Sequence, residues 1–99
     1  MALEEYPSVL GPPVELTDER REHILRHHPV VAPFLNRIAD VVARPDKIRQ
    51  STYDPNVLLL SRFYADVLGG KHLVVVVKIG ERPFADCLRH APTYRRARP

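Results

Sequence analysis

Five histidines stand in this chain of 99 residues, and three of them, His23, His27 and His28, fall close together. Imidazole is the side chain that most readily takes and gives a proton near neutral pH. His23 and His27 are one helical turn apart and share a face, a spacing that could hold a divalent metal if a third ligand came from elsewhere. The usual zinc-helix pattern places Glu directly after the first His, and here that position is Ile24. The plainer reading makes His27 a surface residue and packs His23 at a helix–sheet boundary, its ring satisfied by a carbonyl. No metal and no cofactor is expected. His28 precedes Pro29 and therefore sits at a helix end, where the negative end of the dipole favours a protonated ring. Such a group suits proton donation. Scission of RNA needs a base for the ribose 2′-hydroxyl, an acid for the leaving oxygen and cations for the phosphorane charge. His28 as acid or base, with Arg62 or Lys78 from facing strands as electrostatic partner, makes one such set. The alternative leaves Arg62 and Lys78 as outward-facing residues of a sheet.

Other chemistries lack their residues. No phosphate loop, nucleophile elbow or Cys-His pair is present. Cys87 is the single cysteine, so it forms no internal disulfide, and its place in a possible strand reads as a small buried hydrophobe. Ser51 and Thr52 have no base near them in sequence.

The elements that must position these groups follow from pattern. Residues 1–13, with Pro7, Gly11, Pro12 and Pro13, read as an extended arm, and Val14 to Leu16 as a short edge strand. Thr17 is a good N-cap, Asp18 and Glu19 suit a first helical turn, and Pro29 ends a helix running from Asp18 to His28. Val31, Phe34, Leu35, Ile38, Val41 and Val42 recur at spacings of three and four, which predicts a second amphipathic helix ending before Pro45. Beyond it, Lys47–Tyr53, Val57–Val67 and Lys71–Ile79 read as strands, with Gly69-Gly70 in a hairpin and Phe84–His90 adding a fourth. The valine run of Leu73–Ile79 calls for a central strand covered on both faces. The fold class is thus α+β: two N-terminal helices packed on a curved antiparallel sheet of three to four strands. Residues 14–90 form the single domain and residues 91–99 a basic tail.

At 44% hydrophobic and 27% charged residues, the composition excludes a wholly disordered chain. The longest uninterrupted apolar stretch, Leu73 to Val77, is far too short for a membrane helix. Glu4 and Glu5 stand where a secretory signal carries positive charge, so the expectation is a cytoplasmic protein with no membrane partner. The net charge of +3 is concentrated in residues 82–99, where five arginines face one acid, Asp86.

The segments Leu16-Thr17-Asp18-Glu19-Arg20-Arg21-Glu22-His23-Ile24-Leu25, His28-Pro29, Pro45-Asp46-Lys47-Ile48 and Leu73–Lys78 together resemble the phage-type nuclease-like domains grouped with the barnase, EndoU, colicin and RelE ribonucleases. The resemblance covers roughly residues 14–79. It implies metal-independent RNA cleavage by a toxin or phage component, with RNA as substrate and an antitoxin or immunity protein as partner. It also implies catalytic roles for His28 and His23, with Arg62 and Lys78 as phosphate-facing cations. Where that family ends in Thr-Ala-Tyr-x-Thr, this chain reads Asp86-Cys87-Leu88-Arg89-His90. One set of codons for these residues and Ala91 spells Thr-Ala-Tyr-Val-Thr when read one base later. The hypothesis that this gives is a segment read out of frame, and coding DNA that spells no such motif in the alternative frame would refute it. The rival function is a non-catalytic interaction module, with a homodimer formed through an exposed strand edge.

Overall fold

A computed structural model describes residues 3–92. Two short strands come first, β1 (Leu3–Tyr6) and β2 (Val14–Thr17), joined by the turn in which Gly11 adopts φ +107°. Thr17 then caps helix α1 (Asp18–His27), its Oγ1 accepting from the Arg20 N–H at 3.2 Å, with Asp18 and Glu19 in the first turn. His28 closes the helix with an N–H donated to the Ile24 carbonyl at 2.7 Å.

The expected second helix divides in two. Pro29–Arg37 is a 3₁₀ helix and only Ile38–Ala43, α2, is α-helical. Pro29 and Pro33 remove two amide donors, and the β-branched Val30 and Val31 add little helix propensity between them. Strands β3 (Lys47–Gln50), β4 (Val57–Tyr64), β5 (Lys71–Lys78) and β6 (Phe84–Pro92) complete the chain. Gly69 and Gly70, at φ +78° and +106°, make the turn between β4 and β5 that their sequence predicts.

The sheet corrects the expectation of three to four antiparallel strands behind two N-terminal helices. It has six strands in the order β1-β2-β6-β5-β4-β3, and two of them precede the helices. Its seam between β2 and β6 is parallel, registered at Glu15 and Phe84, so the sheet is mixed. β2 is therefore interior, because β1 pairs along its other side with Tyr6 opposite Val14. The physical reason is backbone satisfaction: β6 pairs antiparallel with β5, and β2 with β1 covers its remaining edge.

The helices pack on one face. Ile24, Val31, Ile38, Val41 and Val42 meet Val14, Leu16, Leu60, Leu73, Val75, Val77, Ala85 and Leu88 in a single apolar core. Among the described residues no second layer covers the other face. Val76 and Cys87, opposite each other on that side, are nonetheless only 5% exposed. Between Val76 and Val77 the β5–β6 register shifts, leaving Asp86 as the extra residue of a bulge.

Candidate functional site: the open face of the sheet

Alternation along each strand decides which side chains can meet. On β4, Leu60 lies in the core with Leu58 and Tyr64 packed against it, so Arg62 shares the helix-covered face. On β5, Leu73, Val75 and Val77 face the core, so His72, Val74, Val76 and Lys78 point the other way. Arg62 and Lys78 thus lie on opposite faces. Arg62 donates through Nη1 to the Arg44 carbonyl at 2.7 Å and to Asp46 at 3.4 Å, and its Nε is 3.3 Å from Asp40. Its charge is already neutralised. Lys78 Nζ lies 3.4 Å from Asp54, whose carboxyl is held below the usual range mainly by the Asn56 N–H and further by this ammonium.

His23 and His28 belong to a third place, at the end of α1, which packs on β2, β6 and the 3₁₀ segment. The His23 ring stands 4.5 Å from that of His27, and desolvation followed by the Arg20 charge holds it below the ordinary imidazole range. His28 contributes its backbone to the helix end and no side-chain cap to the 3₁₀ segment. The structure does not gather His28, His23, Arg62 and Lys78 into one site. Among the described residues no three His, Cys, Asp or Glu side chains are grouped to hold a metal ion.

A different set converges on the open face. Cross-strand register places Lys47, Ser61, Val74 and Arg89 in one row across β3, β4, β5 and β6, with Arg49, Leu59, Val76 and Cys87 in the next. At a strand spacing of about 4.8 Å, the backbones of Lys47 and Arg89 stand about 14 Å apart across the face. Along the edge of these rows runs a groove of about 600 Å³. Leu59, Val74 and Ala91 form its apolar floor, and Lys47, Arg49, Ser61, His72 and Asp46 supply its polar groups. Among the described residues, Lys47, Arg49 and Arg89 have no ion-pair partner, and all three are exposed. His72 stands across from Phe63, ring centroids 5.3 Å apart and edge to face. Asp46 is fixed at the groove margin, one oxygen accepting from the Phe63 N–H at 2.8 Å.

A second hollow of about 500 Å³ lies between β1 and the 3₁₀ segment. Its charges are spent on each other: Arg21 meets Glu4 at 2.7 Å, and Glu4 also accepts from the Tyr6 hydroxyl. The open-face groove is the one that keeps unneutralised cations.

His72 and Arg49 fall in none of the quoted motifs, and Lys47 and Arg89 fall within quoted segments without being assigned a role there. The signal that finds them is parity, since His72 and Lys78 fall on one side of a strand whose core positions are Leu73, Val75 and Val77.

No protein family, curated protein or solved structure matches the chain. No helix among the described residues is long and apolar enough to cross a membrane.

Proposed function

We propose that this domain is a ribonuclease-like module that binds single-stranded RNA across the open face of its sheet, with His72 as the imidazole at the phosphate. The observation that carries the reading is the groove itself: two unpaired cations, Lys47 and Arg49, beside an imidazole and a hydroxyl over an apolar floor. Cations bind the phosphate backbone by releasing its counterions, and the apolar floor with Phe63 at its end offers surface for an unstacked base.

The same groups suit cleavage by the ribose 2′-hydroxyl. His72 takes the hydroxyl proton as the 2′-oxygen bonds to phosphorus, and the 5′-oxygen leaves with a proton from water as its bond to phosphorus breaks, while Lys47 and Arg49 meet the charge on the phosphorane. A cytoplasmic site of action belongs to the same proposal.

The test measures binding of a fluorescent single-stranded RNA across a range of salt, then its cleavage in EDTA. Lys47→Ala with Arg49→Ala should weaken binding at least tenfold and reduce the slope of log affinity against log salt by roughly 1.4, about 0.7 for each single-strand phosphate that is no longer neutralised. His72→Ala should abolish cleavage and His28→Ala should leave it intact. Affinity unchanged in the double variant overturns the proposed site. RNA bound but uncut by the wild type identifies a binding module and removes the catalytic role.

A further inference from the structure

The two edges of the sheet carry opposite, unpaired charges on the same face. β1 and β3 end the strand order, so among the described residues each leaves one backbone edge without a neighbour. On β1, Glu4 and Tyr6 stand opposite Leu16 and Val14, both core residues, which turns Glu5 to the open face. There Glu5 lies directly across from Glu15, a like-charge pair that costs stability. Glu15 has Arg82 at 3.9 Å, whereas Glu5 has no ion-pair partner among the described residues. On β3, Lys47 and Arg49 face the same side, exposed and equally unpaired.

Direction fits as well. β1 is antiparallel to β2, β2 is parallel to β6, and three antiparallel steps lead to β3, so β1 and β3 run the same way. A second copy displaced sideways, helices on the same side, presents its β1 parallel to this β3 and sets its Glu5 beside Lys47 and Arg49. The two-fold alternatives set acid against acid at β1, or cation against cation at β3. We propose that the chain associates head to tail with further copies of itself, β1 of one pairing with β3 of the next, to extend the sheet. An association of this kind does not close on itself, so it grows with concentration. With four residues on each strand it is weak and depends on low salt.

Sedimentation velocity across a concentration series, without RNA, tests this independently of the RNA reading. The wild type at low salt should rise in average mass past twice the monomer, and should return to monomer in about 1 M salt, where the screening length is about 3 Å. Glu5→Lys alone should abolish the growth, as should Lys47→Glu with Arg49→Glu. All three changes together restore opposite edges and should restore it. A wild type that stays monomeric, a mass that stops at the dimer, or a triple variant that stays monomeric while folded by circular dichroism each overturns the proposal.

Discussion

Asp40 is the most heavily engaged carboxylate among the described residues. It accepts from the Tyr64 hydroxyl at 2.5 Å and from Arg44 at 2.5 Å, with Arg62 Nε 3.3 Å away. The Tyr64 hydrogen bond, then Arg44, holds its carboxyl below the usual range, while burial, with Asp40 adding, pushes the Tyr64 phenol up to about 12. A carboxyl whose pKa is lower in the folded than the unfolded chain contributes stability above the unfolded pKa and loses it as pH falls through the folded one. His23 adds an earlier loss. Its pKa is also lowered by folding, through burial and then Arg20, with His27 and His28 adding positive charge against Asp86. The unfolded chain therefore takes the His23 proton first as pH falls below about 6.5. Urea midpoints measured against pH should drop in two stages, with His23→Gln flattening the upper and Asp40→Asn the lower. Tyr64→Phe should cost about 1–2 kcal/mol at neutral pH, since it removes a hydrogen bond to a charged acceptor.

At the scale of elements, the bulge of β6 is held from across the fold. Arg20 on α1 reaches Asp86, donating to its carbonyl at 2.9 Å and its carboxylate at 2.7 Å. The bulge residue is thus tied to the first turn of the helix that Thr17 caps. Arg20→Met should slacken this tie, and amide exchange should quicken around Asp86 and Cys87 while β4 remains protected. Thr17, the helix after it, the strand after Gly69-Gly70 and the segment from Phe84 were legible because each has its own local signature. β1 was not, since Leu3-Glu4-Glu5-Tyr6 is four residues long and its pairing is decided by β2 alone. The parallel seam was hidden for a related reason: one register pair, Glu15 with Phe84, leaves no mark in either segment. The valines of β5 concealed which face the helices cover, because apolar residues occupy both parities there. β4 held the clearer clue, with Arg62 in step with Leu58, Leu60 and Tyr64 and hence beneath α2 rather than on the open side.

Taken whole, the molecule is a one-sided sandwich with its helices and most of its ion pairs on one side. The other side displays Lys47, Arg49 and Arg89 without an ion-pair partner among the described residues, the charge on which the proposed RNA site rests. The proposed head-to-tail association uses the same Lys47 and Arg49 as the proposed RNA site, so RNA and a neighbouring copy would compete for them. Adding single-stranded RNA to the associated protein should lower its average mass, and Arg89→Ala, away from β3, should weaken RNA binding without changing association.

The seam between β2 and β6 also orders events during synthesis. β2 is made early, yet its inner neighbour is the last of the described strands to emerge from the ribosome. Without Phe84–Pro92 in place, β1–β2 and β3–β4–β5 each lack the neighbour that joins them, so the six-stranded sheet is complete only once this last described strand has inserted between the two parts.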